Sequence, residues 1–186
     1  MTGFIVRVGG LHTIDRDVPE FRPTHLIGIL DPAMPAPSVH DHQAHERENL
    51  VLRFRDSEAI ADGGPDLAHV ESALALIDRA LVMSYRSPAR VLIHCHAGAS
   101  RSTATAYLAL VRRLGMSEIE QAFAELLRIT NKPWPNRRIV AMADDLLGAR
   151  GRMLAPLDRY RADNPNRLEA YIRLHHIRAA RDARYG

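Results

Sequence analysis

The single cysteine of the chain lies in a short polar loop between two strongly patterned segments. The loop has the sequence HCHAGASRS, from His94 to Ser102. It directly follows the apolar run Val91 to Ile93 and directly precedes a long amphipathic segment, as when a buried strand ends in a tight turn that opens a helix. A ligand loop at the carboxyl end of a buried strand is typical of an α/β domain, which restricts the folds open to this chain.

Other hydrophobic patterns predict strands and helices in alternation. Strands are expected at Phe4 to Val8, Thr24 to Leu30, Asn49 to Phe54 and Arg90 to Ile93, and helices near Leu11 to Phe21, Leu67 to Leu81, Ser102 to Leu114, Ile119 to Leu127, Arg137 to Leu147 and from Asn166 onward. Ser117 and Glu120 have the spacing of a capping box. The prediction is an α/β fold with a central, mainly parallel sheet of four to five strands, flanked by helices.

Length and composition predict a globular chain with one principal domain. The 186 residues are 46% hydrophobic, enough for a sizeable core, and residues 1–149 are expected to form the domain that carries the site. Residues 150–186 are expected to form a C-terminal helical extension packed on that domain. We find no apolar run of ~20 residues and no secretory leader, so we expect a cytoplasmic protein without a membrane partner.

The charge distribution argues against nucleic-acid binding. The net charge is +3, but residues 150–186 contain nine arginines and four acidic residues, which leaves the rest of the chain slightly acidic. These charges alternate at helical spacing, which indicates a solvated helix face rather than a phosphate-binding patch. We therefore predict no nucleic-acid partner. A lone cysteine also excludes an internal disulfide.

The cysteine loop has the residues that nucleophilic attack on a phosphate ester requires. Backbone N–H groups at a helix N-terminus, together with a nearby arginine, favour the thiolate of Cys95. Gly98 gives the backbone the freedom to turn successive N–H groups toward one anion. Arg101 can bind two phosphate oxygens at once, and Ser102 can donate a hydrogen bond to the sulfur when it leaves.

The rest of the loop is expected to bind phosphate and to hold its own shape. The phosphate-binding residues are predicted to be His96, Ala97, Gly98, Ala99, Ser100 and Arg101. His94 is expected to order the loop by hydrogen bonding rather than to act as a base. The alternative is a buried structural cysteine beside an unrelated arginine.

The loop resembles the signature HCxxGxxR[S/T] of the cysteine-dependent protein tyrosine phosphatase superfamily. The matching positions are His94, Cys95, Gly98, Arg101 and Ser102. The flanking segments LIDRAL, before VLIHC, and GMSEIEQAF, followed by WPN, are similar to the compact dual-specificity-like branch. The resemblance covers residues 4–148 in the order of elements, whereas residues beyond 150 have no counterpart in it.

The resemblance implies an aspartate that protonates the leaving oxygen, a few tens of residues before the cysteine. Asp56 is the preferred candidate because it directly follows a predicted strand and begins a glycine-rich stretch. Asp62 and Asp66 lie on the same stretch and compete for the role. Asp66 could instead cap the next helix, and any of the three could be a simple turn residue.

A second group of chemically active residues lies in a loop after a proline-rich stretch. His40, Asp41, His42 and His45 have a spacing that could supply zinc ligands. We favour a solvent-exposed histidine-rich loop because no helical frame or cysteine accompanies it. Lining of the approach to the substrate is a further alternative.

The sequence therefore predicts a phosphomonoester hydrolase of the protein tyrosine or dual-specificity phosphatase type. It is expected to form a phosphocysteine at Cys95, with Asp56 as the acid. No metal or other cofactor is expected. A phosphorylated protein or a small phosphoester is the expected substrate, since the loop interior has no lysine, unlike that of inositol-lipid phosphatases. A phosphate-binding adaptor and a sulfurtransferase are the alternatives, and the oligomeric state is left open.

Overall fold

The computed structural model of the protein describes residues 3–41, 47–167 and 169–171. Its strands are β1 (Phe4–Gly10), β2 (His25–Leu30), β3 (Glu48–Arg53) and β4 (Ala89–Cys95). Its α-helices are α1 (Ile14–Phe21), α2 (Leu67–Ser84), α3 (Arg101–Leu114), α4 (Ile119–Ile129), α5 (Arg137–Leu146) and α6 (Leu154–Asp163). Short 3-10 turns form at Ser38–His40 and Ile60–Asp62.

The four strands form one parallel sheet in the order β1-β4-β2-β3. The strand that leads into the cysteine loop, β4, is central and pairs with β1 on one side and β2 on the other. The predicted α/β class, with a parallel sheet flanked by helices, is confirmed. Because all strands are parallel, their carboxyl ends meet at the same edge of the sheet, where loops collect.

Helices cover both faces of the sheet. On one face the main core packs α2 and α3 against strand residues such as Ile27 and Ile93. On the other face a smaller cluster joins Ile14 of α1 to Leu26 and Leu92. Successive side chains of a strand point to opposite faces of the sheet, so β2 and β4 contribute to both clusters. Their sequences are therefore apolar at nearly every position rather than at every second one.

Two predicted helix starts have different outcomes. Asp66 is the N-cap of α2: its side chain accepts from the amide of His69, and the His69 ring accepts in turn from the amide of Asp66. The capping box predicted at Ser117 and Glu120 is wrong. The turn before α4 closes by the backbone hydrogen bond from the Glu118 amide to the Gly115 carbonyl, so the N-cap is Glu118 rather than Ser117 and no side chain caps the helix.

The beginning of the C-terminal extension packs on the same core as the sheet. Met153 and Leu157 are fully buried in the main cluster. Asp144 of α5 joins the two segments, since its carboxylate accepts from the amides of Gly151 at 2.6 Å and Met153 at 2.8 Å. The helix predicted from Asn166 onward lies mostly outside the described residues.

None of the helices in the described part of the chain is long and apolar enough to cross a membrane.

We expect Asp144→Ala to destabilise the protein by ~1–3 kcal/mol, because the buried amide of Met153 loses its acceptor and the more exposed amide of Gly151 loses a hydrogen bond. The measurement is the free energy of unfolding in urea. Asp145→Ala is the matched control, since Asp145 is exposed on the same helix and should change stability only slightly. Equal effects of the two substitutions would contradict the role given to Asp144.

Candidate active site

Three of the parallel strands deliver side chains to one point at the carboxyl edge of the sheet. β4 ends at Cys95, Asp31 directly follows β2, and Asp56 comes three residues after the end of β3. The N-terminus of α3 closes the group by bringing Arg101 to the same point. The site is therefore assembled by strand order as well as by the local sequence of the cysteine loop.

Neighbouring loops hold the cysteine loop from outside. The Leu11 amide donates to the carbonyls of Cys95 and His96, the Trp134 amide to Ala99 at 2.7 Å, and the Asn136 amide to Ser100 at 3.3 Å. Among the described residues, the amides of 97–100 donate to no backbone carbonyl. The loop carbonyls thus accept hydrogen bonds from neighbouring segments, whereas the loop amides remain available to bind an anion at the start of α3.

Gly98 allows this loop to form. Its φ of 71° is in the left-handed region, and a Cβ there would lie 2.8 Å from the carbonyl oxygen of Gly9. Both the backbone angle and the close approach to β1 therefore require glycine.

Cys95 and Ser102 form the contact that the sequence predicted. The sulfur lies 3.1 Å from the hydroxyl oxygen of Ser102, and both residues are buried. The hydroxyl is therefore positioned to donate to a thiolate, which would stabilise the charged sulfur as a nucleophile and as a leaving group.

Arg101 is completely buried and is held by the two neighbouring strand ends. Its Nη1 donates to Asp31 Oδ1 and to the Phe54 carbonyl, both at 2.8 Å. Burial lowers its pKa, but the negative charges of Cys95, Asp56 and Asp31 outweigh burial and raise it. Its Nε and Nη2 have no hydrogen-bond acceptor among the described residues. A bound oxyanion would supply those two acceptors.

Asp56 lies against the cysteine loop. Its Oδ1 accepts from Ser100 Oγ at 2.7 Å and Asn136 Nδ2 at 3.1 Å, and its Oδ2 lies 3.7 Å from Arg101 Nε. The Tyr171 hydroxyl donates to the same Oδ2. The side chain of Asp56 is only 5% exposed.

The other two candidate acids are elsewhere. Asp62 is exposed and accepts a long hydrogen bond from Ser57, and Asp66 caps α2. The geometry thus brings Asp56, and neither competitor, into contact with the loop.

A cleft of about 600 Å³ lies beside Asp31 and Asp56. Asp31, Pro32, Arg55, Asp56 and Asp62 are among the residues that line it. His96 Nδ1 lies 3.6 Å from Asp31 Oδ2. The His96 contact lowers the pKa of Asp31; burial acts in the opposite direction, and Arg101 adds to the lowering. Asp31 is therefore a charged partner for Arg101.

His94, the residue before the cysteine, contacts a second histidine, His40. Its Nε2 lies 2.6 Å from Nε2 of His40, and both rings are buried. Burial, together with the charges of His40 and Arg101, lowers the pKa of His94 to about 3, although a hydrogen bond with the Cys95 backbone acts in the opposite direction. The two rings can approach each other because Gly28 has no side chain: a Cβ at Gly28 would lie 2.5 Å from the His40 ring.

The expectation of an exposed histidine-rich loop is wrong for His40. The turn Ser38–His40 packs on the sheet and directs the ring inward, because the small Gly28 leaves room beside His94. His42 and His45 lie outside the described residues, while Asp41 is exposed. In the described ranges no three His, Cys, Asp or Glu side chains are grouped to hold a metal ion.

Sequence reasoning missed three residues of the site, Asp31, Asn136 and Tyr171, and it expected His40 to be exposed. Asp31 could have been found as the first residue after a buried strand, and Asn136 is part of the WPN segment already associated with the resemblance. No sequence signal connects His40 or Tyr171 to residues more than 50 positions away.

The low pKa of His94 predicts that acid destabilises the protein. An unfolded histidine has a pKa of ~6.5, so between about pH 6.5 and 3 the unfolded chain binds a proton that the folded one does not. We expect this group alone to lower the free energy of unfolding by about 2 kcal/mol from pH 7 to 5. The measurement is urea unfolding at both pH values.

An NMR titration of the imidazole signals tests the same assignment directly. The His94 ring should not titrate above pH 5, and a titration near pH 6.5 would contradict it.

No protein-family model matches the sequence, and no curated protein matches it in sequence. Solved structures do match. Human DUSP28 superposes with a TM-score of 0.53 at 18% identity, covering 78% of this chain and 94% of its own. The Yvh1 phosphatase domain from Chaetomium thermophilum gives 0.53 at 22%, covering 84% and 95%. The human tyrosine phosphatase-like serine/threonine/tyrosine-interacting protein gives 0.56 at 22%, covering 77% and 91%. The chain therefore has the fold of the compact, dual-specificity-like branch of the cysteine-dependent protein tyrosine phosphatases.

Proposed function

We propose that the protein is a phosphomonoester hydrolase, of the protein tyrosine or dual-specificity type, that works through a phosphocysteine at Cys95. The observation that carries the proposal is the buried Arg101 next to Cys95. Among the described residues its Nε and Nη2 have no hydrogen-bond acceptor, and the loop amides of 97–100 donate to no backbone carbonyl. The fold of dual-specificity phosphatases supports it.

In the first step the Cys95 thiolate attacks phosphorus and forms a sulfur–phosphorus bond. Arg101 and the amides of residues 96–100 bind the non-bridging oxygens, whose charge they match. The bond from phosphorus to the leaving oxygen breaks, and Asp56 transfers its proton to that oxygen. The substrate leaves as an alcohol or phenol.

In the second step water breaks the sulfur–phosphorus bond. Asp56, now a carboxylate, removes the proton of the attacking water, and inorganic phosphate is released. The hydrogen bond from Ser102 stabilises the thiolate that leaves. Each group returns to its starting protonation state, so the residues of this chain balance the reaction without a cofactor.

A phosphorylated protein or a small phosphoester is the proposed substrate. The cleft beside Asp56 is open, and the acids at Asp31, Asp56 and Asp62 contribute to its lining. Such a lining disfavours ligands that carry several phosphates, since like charges repel.

Cys95→Ser should abolish the hydrolysis of p-nitrophenyl phosphate, because a serine hydroxyl is not ionised at neutral pH. The measurement is phosphate release, together with mass spectrometry of acid-quenched wild-type protein for a phosphocysteine. Retained turnover in the serine variant would overturn the mechanism. Tight phosphopeptide binding by wild-type protein without phosphate release would indicate the adaptor instead.

Asp56→Asn should lower kcat by about 10²–10⁴-fold with phenyl phosphate, whose leaving oxygen needs a proton. The loss should be smaller with p-nitrophenyl phosphate, because nitrophenolate is a better leaving group. Asp62→Asn is the matched control on the same loop and should keep most of the activity, since Asp62 does not contact the cysteine loop. A loss confined to the Asp62 variant would transfer the role to that residue.

A further inference from the structure

Tyr171, from the C-terminal extension, contacts the proposed acid. Its hydroxyl donates to Asp56 Oδ2, the oxygen that faces Arg101. Burial raises the pKa of the Tyr171 hydroxyl, and the Asp56 charge raises it further, so the phenol keeps its proton. A neutral phenol therefore lies against a carboxylate beside the cysteine loop.

The chain that leads to Tyr171 is attached to the two loops that hold Asp56. Arg161 of α6 donates to Glu58, two residues after Asp56, and to the Pro135 carbonyl at 2.7 Å. The Arg161 guanidinium also lies 4.9 Å from the centre of the Trp134 ring. The extension thus binds directly to the surroundings of the site.

A second anchor lies at the start of α5. The Arg137 guanidinium makes two hydrogen bonds to the Asp158 carboxylate, at 2.8 and 2.9 Å, and the Arg137 amide donates to Glu58. The bidentate geometry fixes the direction of α6 relative to the loop of Asp56. The contact of Tyr171 with Asp56 is therefore part of a larger interface between the C-terminal extension and these loops.

The pair of groups is the one that hydrolysis of a tyrosine phosphate would leave behind. When Asp56 has protonated the phenolic oxygen, the product hydroxyl faces the Asp56 carboxylate. The Tyr171–Asp56 contact places a phenol and a carboxylate in the same relation, with the proton on the phenol.

We propose that Tyr171 occupies the leaving-group position of the site as an internal analogue of the product, and so competes with phosphorylated substrate for Asp56. The proposal rests on the function proposed above, through the assignment of Asp56 as the acid. Substrate can then bind productively only to those protein molecules in which Tyr171 has left Asp56. Asp56 remains placed in them, because Ser100 and Asn136 hold its other oxygen.

The test is the kinetics of Tyr171→Ala with a tyrosine phosphopeptide. If Tyr171 fills the position in about nine molecules of ten, its removal lowers KM about tenfold. Tyr171→Phe keeps the ring but loses the donated hydrogen bond, so its KM should lie between those of wild type and the alanine variant. Tyr85→Ala, at an exposed tyrosine after α2, is the control and should leave KM unchanged.

A residue that only positions Asp56 would give a different pattern. In that case Tyr171→Ala would lower kcat and leave KM unchanged, which would overturn the proposal.

A binding measurement separates failure of this proposal from failure of the proposed function. In the Cys95→Ser background, where no turnover is expected, Tyr171→Ala should lower the Kd for the phosphopeptide about tenfold by calorimetry. Equal Kd values with and without Tyr171 would overturn the competition whether or not the wild-type protein is an enzyme. If Tyr171→Ala lowers the Kd but the wild-type protein shows no turnover, the competition is supported and only the hydrolase assignment is rejected.

Discussion

The site depends on the burial of one charged guanidinium. Arg101 is fully inside the protein, where an unpaired charge is very costly, so the structure around it must supply partners. Asp31 and the Phe54 carbonyl supply them from the ends of β2 and β3, while Arg101 itself begins α3. One side chain therefore links both strand ends to the cysteine loop. These two acceptors both bind Nη1, and within the described part of the chain Nε and Nη2 have no hydrogen-bond acceptor, which leaves them to bind an anion next to Cys95.

Asp56 joins the cysteine loop to the C-terminal half of the chain. Its carboxylate accepts from Ser100 of the loop, Asn136 at the start of α5 and Tyr171 of the extension. Because one carboxylate has all these partners, the position of the proposed acid depends on elements that lie far apart in sequence. Through Tyr171, an extension outside the region of family resemblance contacts the proposed acid. The salt bridges of Arg137 and Arg161 hold that extension against the same loops.

Local patterns predicted the strands, the main helices and the parallel sheet well, because apolar periodicity reports directly on burial. They also placed Asp56 correctly after a strand, at the edge where site residues collect. They failed where a contact joins distant segments. His40 was expected to be exposed, but it packs on His94, 54 residues away, in a space that Gly28 leaves open. The predicted cap at Ser117 failed for a local reason, since a backbone turn from Gly115 to Glu118 sets the start of α4.

The sequence by itself determined the proposed reacting centre: Cys95, Gly98, Arg101 and Ser102 lie within eight residues, in a loop that a strand, a glycine and a helix start can shape locally. The tertiary structure alone decided what surrounds that centre. It placed Asp56, and not Asp62, against the cysteine loop, paired Arg101 with Asp31, buried His40 and brought Tyr171 to Asp56. These contacts join segments from residue 31 to residue 171, and their distances depend on how the parallel strands are ordered and how the C-terminal helices pack. No periodicity or motif within one segment carries that information.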